Sequence, residues 1–154
     1  MTRQPMYYES IPVGEKFESI PRTISETDIW MFAYLTGDFF PIHTDKVFAE
    51  KTVFGKQVAQ GMLVLSIGLG MIDQIILSLF DVSTVIALFG LREVRFHRPV
   101  YIGDTITAIA EVAEKKDFNR ESGVVTFRVE VKNQRDETVL TGYYSTLIRK
   151  APAG

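Results

Sequence analysis

The fold depends on one stretch, VAQGMLVLSIGLGMIDQIILSLF (58–80). At roughly 1.5 Å per helical residue it is long enough to cross about 30 Å of hydrocarbon, so a membrane helix must be considered. Against that interpretation, Gln60, Asp73 and Gln74 are polar, glycines interrupt the apolar run, and no basic flank follows it. A helix that is apolar on nearly every side is typical of one enclosed by other elements. The stretch therefore predicts a core helix and no membrane contact.

The second half of the chain predicts the elements that enclose this helix. Four segments are rich in β-branched and aromatic residues: STVIALFGLREVRFHRPV (83–100), DTITAIAEVAEKK (104–116), GVVTFRVEVKN (123–133) and TVLTGYYSTLIRK (138–150). The turns VYIGD (100–104), DFNRESG (117–123) and NQRDE (133–137) suggest that the strands pair antiparallel in sequence order.

One of these strands shows which face of the sheet is buried. Phe127, Val129 and Val131 alternate with charged residues, so the strand has one apolar face and one solvent-exposed face. The apolar face needs a partner, and the helix at 58–80 is the only large candidate. The sequence thus predicts an α+β fold, in which an antiparallel sheet packs on a long central helix.

Composition limits the classes of partner and site. A chain of 154 residues suits one domain, 1–154, with a core from about 11 to 149. Its net charge of −2 argues against nucleic acid as a partner. The absence of cysteine excludes disulfides, thiolate metal ligands and a cysteine nucleophile. The start, MTRQPMYYESIPVGEKF (1–17), lacks the apolar run of a signal peptide, so we expect a cytoplasmic protein. We also expect no metal site.

A helix and a stiff loop precede the core helix. In SETDIWMFAYLTG (25–37), Ser25 and Asp28 predict an N-terminal cap, and Gly37 predicts the end of the helix. The loop GDFFPIHTD (37–45) follows, and Pro41 makes it rigid. A second short helix is expected to start near residue 44 and to run through DKVFAEK (45–51).

Asp38 and His43 are the candidate catalytic residues in this loop. A carboxylate and an imidazole held by a rigid loop can both reach one small molecule, and a water is one such guest. Histidine carries protons readily near neutral pH. Phe39 and Phe40 would lower the local dielectric constant and exclude bulk water. In the alternative interpretation, His43 only binds a carbonyl group and Asp38 only caps a helix.

The backbone N–H of Gly61 is a third candidate functional group, beside Asp38 and His43. In FGKQVAQGM (54–62) Gly61 lies where the core helix begins, so its backbone N–H can approach a ligand oxygen and be supported by the helix dipole. A proton-transfer pair and a donor for a developing enolate suit the addition of water to, or its removal from, a carbonyl-conjugated double bond.

Three stretches resemble one family. FAYLTGDFFPIHTD (32–45), FGKQVAQGMLVLS (54–66) and LREVRFHRPVYIGDTI (91–106) are similar to the motifs of MaoC-like dehydratases, the R-specific enoyl-CoA hydratases, and the resemblance covers most of residues 11–149. It implies a hot-dog fold, usually a dimer with active sites near the interface. By this resemblance Asp38 and His43 hold the attacking water, and the amide of Gly61 binds the thioester oxygen. The expected substrate pocket comprises Phe39, Phe40, Ile42, Phe54, Gln60 and Met62.

The chain departs from the family motif at two positions. Phe40 stands where the family most often has asparagine, and Gln60 stands where it usually has histidine. Neither departure removes a catalytic group, although Phe40 suggests a more apolar acyl site.

The resemblance implies a hydro-lyase that interconverts trans-2-enoyl-CoA and (R)-3-hydroxyacyl-CoA. It would act as a homodimer or larger homo-oligomer, without a cofactor other than the coenzyme A of its substrate. A hot-dog thioesterase and a non-catalytic acyl-thioester-binding subunit are the alternatives.

Some further residues receive other interpretations. His97, in the alternating pattern VRFHR (94–98), is interpreted as a surface or interface residue of a strand. Four basic residues could equally meet coenzyme A phosphates or face solvent, namely Lys56, Arg92, Arg95 and Arg98. Asp73 lies inside the apolar helix, where we expect it to satisfy a buried polar contact across a dimer interface.

Overall fold

The computed structural model describes residues 5–79 and 81–152. The described residues form four α-helices: α1 Glu26–Thr36, α2 Pro41–Thr44, α3 Lys46–Glu50 and the core helix α4 Gly61–Leu79. Two short 3-10 helices are at Tyr8–Ser10 and Val82–Thr84. Six strands form one sheet: β1 Lys16–Glu18, β2 Arg22–Thr23, β3 Val85–Phe96, β4 Thr105–Asp117, β5 Ser122–Asn133 and β6 Thr138–Arg149. The ends of the expected domain and the last residue of the expected core helix, Phe80, lie outside the described residues.

The four predicted strands are all present, but their order differs from the prediction. The sheet is antiparallel with the order β1-β4-β5-β6-β3, and β2 also pairs with β4. The turn NQRDE (133–137) is a hairpin, as expected. The segment VYIGD (100–104) is not, because β3 pairs with β6, where Phe96 faces Leu140. The free side of β4 is taken by β1 and β2, which are too short to produce a periodic sequence signal.

The core helix α4 lies against the sheet, as predicted. Eight of its residues are buried: Leu63, Val64, Leu65, Ile67, Gly68, Met71, Ile72 and Ile76. All of them except Gly68 join one apolar cluster with the inward side chains of β5, Phe127, Val129 and Val131. Among the described residues α4 is the one helix long and apolar enough to cross a membrane, but the core helix of a globular fold passes the same test.

At Gly68 the backbone of α4 lies close to a side chain of the sheet. A Cβ atom added there would lie 2.8 Å from Cγ2 of Val131 on β5. Valine is stiff at χ1, so this methyl group has little freedom to move away. The absence of a side chain at Gly68 therefore leaves room for the Val131 methyl group. Gly70, two residues later, would meet nothing within 4 Å.

This contact predicts opposite effects of one substitution at two glycines of α4. Gly68→Ala should lower the free energy of unfolding by about 1–3 kcal/mol because it overpacks the contact with Val131. Gly70→Ala is the matched control and should be neutral or raise that free energy by up to about 1 kcal/mol, since alanine favours helix. Urea denaturation of both variants measures the difference. Equal effects would contradict the close approach at Gly68.

Candidate active site

Both ends of α1 are fixed by the residues that the sequence predicted, Ser25 and Asp28 at the start and Gly37 at the finish. The Ser25 hydroxyl accepts from the backbone N–H of Asp28 at 3.2 Å, and the Ser25 N–H donates to the Asp28 carboxylate at 2.8 Å. At the other end Gly37 has φ of 81°, and its N–H donates to the carbonyl of Ala33 at 2.8 Å. This left-handed turn ends the helix and directs Asp38 away from its axis.

The loop after Asp38 is shorter than expected because α2 begins at Pro41, where a proline is tolerated. His43 therefore lies inside a single helical turn and not at the entrance to one. The next helix, α3, is separate and begins after Asp45, whose carboxylate accepts from the N–H of Phe48 at 2.9 Å. The expected continuous helix from residue 44 is thus divided at Asp45.

One hydrogen bond orients the ring of His43. Nδ1 lies 2.7 Å from the carbonyl oxygen of Val58, and the side chain is 11% exposed. A carbonyl oxygen only accepts hydrogen bonds, so Nδ1 carries the proton in the neutral ring. Nε2 is then an acceptor, and it lies 4.0 Å from Oδ2 of Asp38, a side chain that is 41% exposed.

The separation of these two atoms defines the chemistry of the pair. A distance of 4.0 Å is too long for a direct hydrogen bond. A neutral imidazole nitrogen and a carboxylate oxygen are both acceptors, so a small molecule with two O–H donors fits between them. Water has those two donors.

The segment that leads into α4 holds this loop in place. The Gln57 side-chain amide donates to the carbonyl of His43 at 3.0 Å, and the N–H of Val58 donates to the carbonyl of Ile42 at 3.2 Å. The N–H of Ala59 donates to the carbonyl of Val100 at 2.8 Å. The catalytic candidates are therefore tied to the start of the core helix.

Gly61 is the first residue of α4, so its N–H belongs to the helix-terminal amides that have no partner inside the helix. A Cβ atom at this position would lie 3.0 Å from the ring of Phe96, at the end of β3. Glycine thus permits close contact between the helix terminus and β3.

His43 and Gly61 line one cavity of about 350 Å³. Ile42 and Phe54, two of the expected pocket residues, also line it. So do His97 and Arg98, which the sequence did not identify as site residues. Within the described residues, no cluster of three or more His, Asp or Glu side chains could hold a metal ion.

A family model described as the MaoC like domain matches residues 9–135 of this chain. The chain belongs to the MaoC-like family. Solved structures that resemble it include hot-dog proteins, and the sheet around α4 is a hot-dog fold.

Three relatives show the range of MaoC-like proteins that this chain resembles. It is 35% identical over 122 residues to an (R)-specific enoyl-CoA hydratase from Rhodospirillum rubrum. This match covers 79% of this chain and 78% of that protein. It is 38% identical to Protein MaoC from Klebsiella aerogenes, but the match spans only 28% of that protein and 65% of this chain. A solved monoamine oxidase regulatory protein from Archaeoglobus fulgius is 68% identical, with a TM-score of 0.96 and 99% of each chain covered.

Two of the expected pocket residues in this MaoC-like chain are phenylalanines that lie outside the cavity lining. The ring of Phe39 packs edge-on against Tyr34 of α1, with 5.3 Å between centroids. The ring of Phe40 lies 6.5 Å from that of His43 and is 59% exposed. Phe40 therefore borders the catalytic candidate and forms no wall of the cavity in the single chain.

Gln60 and Met62 also lie outside the lining. Met62 is 53% exposed. Gln60 is 1% exposed, and its side-chain N–H donates to the carbonyl of Ile29 in α1 at 3.2 Å. Where the family usually has histidine, this glutamine connects the helix before Asp38 to the helix that begins at Gly61.

The bond to Val58 predicts the tautomer of His43. The neutral ring should carry its proton on Nδ1 and none on Nε2, because only Nδ1 faces the carbonyl. Long-range ¹H–¹⁵N correlation spectra of the ¹⁵N-labelled protein distinguish the two nitrogens. A neutral His43 protonated on Nε2 would contradict this orientation of the ring.

Proposed function

We propose that this MaoC-like chain is a hydro-lyase that interconverts a trans-2-enoyl-CoA, or a related acyl thioester, and the (R)-3-hydroxyacyl thioester. The observation that supports this function best is the 4.0 Å gap between Nε2 of His43 and Oδ2 of Asp38. Two acceptors at this distance bind a water through both of its protons and leave an oxygen lone pair free to react.

In the hydration direction the oxygen of this water bonds to C3 of the enoyl thioester. One member of the His43–Asp38 pair takes a proton from the water, and the C2=C3 electron pair moves toward the thioester oxygen. The N–H of Gly61 donates to that oxygen while it carries negative charge. Collapse of the enolate and delivery of a proton to C2 complete the addition, and dehydration follows the same steps in reverse. Only water and the thioester are consumed, so the reaction requires no cofactor.

The choice of the (R) product rests on the relatives. The Rhodospirillum rubrum protein is named an (R)-specific enoyl-CoA hydratase, and its match covers more than three quarters of both chains. The Archaeoglobus structure is described as a regulatory protein, so a direct assay of this chain is the appropriate test.

The assay uses the purified protein and crotonyl-CoA. Chiral chromatography of the product should show (R)-3-hydroxybutyryl-CoA, and a thiol reagent should detect no free coenzyme A. Release of free coenzyme A without hydration would favour a thioesterase. Binding of crotonyl-CoA without turnover would favour a non-catalytic acyl-thioester-binding subunit.

If one water bridges the pair, Asp38 and His43 act as a unit. Asp38→Asn and His43→Ala should each lower kcat by about two to four powers of ten while the fold is retained. The double variant should be little slower than either single variant, since each substitution already releases the water. Steady-state kinetics on crotonyl-CoA measure the three rates. Effects that multiply in the double variant would reject the shared water.

Two substitutions of Gly61 separate its N–H from its lack of a side chain. Gly61→Ala keeps the donor but requires the exposed ring of Phe96 to move slightly, so we expect a loss in kcat of about tenfold or less. Gly61→Pro also removes the donor at a helix position where proline is tolerated, and it should cost a further factor of about 10²–10³. Circular dichroism checks that both variants fold. Equal activity of the two variants would reject the oxyanion role.

The proposed function also includes a homodimer joined at β3. This strand is at the edge of the sheet, and no described strand pairs with its outer side. Its exposed side chains include several large apolar ones, namely Ile86, Leu88, Phe89, Leu91 and Phe96. An unpaired apolar edge strand favours pairing with another chain, and a second copy supplies the same edge.

Light scattering coupled to size-exclusion chromatography tests the dimer. The wild-type protein should have the mass of two chains at micromolar concentration, and Leu88→Lys should shift it toward one chain because it places a charge on the apolar edge. A wild-type protein with the mass of a single chain would contradict the dimer.

A further inference from the structure

A second cavity, of about 240 Å³, lies between the C-terminal half of α4 and the sheet. It shares no lining residue with the cavity of His43. Asp73, which lines it, is twelve residues after Gly61, or about 18 Å along the helix axis. Most of its walls are apolar and include Ile76, Phe127 and Ile148. This cavity is therefore a separate site.

Three polar side chains, those of Asp73, Tyr144 and Thr146, interrupt the apolar lining. The hydroxyl of Tyr144 donates to Oδ1 of Asp73 at 3.3 Å. This contact lies within the chain, so β6 supplies a polar partner for Asp73. The contact expected for Asp73 across a dimer interface stays a prediction.

Within the part of the chain that the structure describes, the carboxylate of Asp73 has no counter-ion. Among the described residues no Lys, Arg or His side chain forms an ion pair with it, and the hydrogen bond from Tyr144 is its one charge-stabilising contact. Burial raises the pKa of Asp73, and the bond from Tyr144 opposes that rise only in part. A half-buried carboxylate against apolar walls is costly unless a cation or a proton neutralises it.

We propose that this cavity binds a small organic cation in which a primary ammonium group is attached to a short, apolar alkyl or aryl body. The Asp73 carboxylate accepts from the ammonium group and from Tyr144, and the apolar walls enclose the body. An anion would be repelled by Asp73, and a purely apolar ligand would leave the buried charge of the carboxylate with only the hydrogen bond from Tyr144. The volume is at the small end for ligand sites, which suits a compact amine and excludes a whole acyl-CoA.

The test compares benzylammonium with benzyl alcohol, which has nearly the same shape but no charge. Isothermal titration at pH 7 should show that the wild-type protein binds the ammonium about tenfold more tightly, or better. Asp73→Asn keeps an acceptor for Tyr144 but removes the charge, and it should abolish this preference. Asp136→Asn is the matched control: it removes an exposed charge at the β5–β6 turn and should leave the preference intact.

Methyl NMR places the ligand. Benzylammonium should shift the methyl signals of Ile76 and Ile148 in the wild-type protein, and circular dichroism should show that Asp73→Asn is folded. The proposal is overturned if benzylammonium fails to bind at millimolar concentration, if the two probes bind equally, or if folded Asp73→Asn keeps the preference. Equal loss of preference in Asp136→Asn would also overturn it, since a general charge effect would then explain the binding.

Discussion

The packing of α4 against the sheet is the constraint on which the rest of the structure depends. The helix buries eight residues, and at Gly68 the side chain of Val131 leaves no room for a Cβ atom. This packing places Gly61, the first residue of the helix, beside Phe96 at the end of β3. The cavity and the loop tied to residues 57–59 lie at that helix terminus.

The hydrogen bond from His43 to the carbonyl of Val58 transmits this constraint to the proposed chemistry. It selects the tautomer and turns Nε2 toward Asp38, while the left-handed turn at Gly37 presents the carboxylate from the other side. Two rigid helix junctions thus hold two acceptors at a distance that one water can bridge. The arrangement is preorganised, so little reorganisation of the protein is needed when charge develops.

Local signals in the sequence were sufficient for α1, for α4 and for the long strands, but not for the division between α2 and α3. The cap at Ser25, the stop at Gly37 and the alternation around Val129 each depend on residues a few positions apart. The pairing of β3 with β6 joins segments that are distant in the sequence, so no local pattern predicts it. The missed position of His97 has the same cause: its N–H donates to Val139 on β6, and this pairing brings it to the cavity beside Gly61. The Val58 carbonyl could not be predicted either, because every residue type has one.

The position of Phe40 required the structure for a different reason. Its place in the motif suggested a pocket wall, but Phe40 lies at the N-terminus of α2, where its ring is beside His43 and exposed. The departure from the family motif at Phe40 therefore predicted that this residue lies near His43, but it did not predict the direction of the side chain.

A crystal structure at a resolution that shows ordered water tests the central claim most directly. It should contain one water within hydrogen-bond distance of both Nε2 of His43 and Oδ2 of Asp38, on the side of the cavity that Gly61 faces. A direct hydrogen bond between the two side chains with no room for water, or an Asp38 carboxylate turned away into solvent, would contradict it.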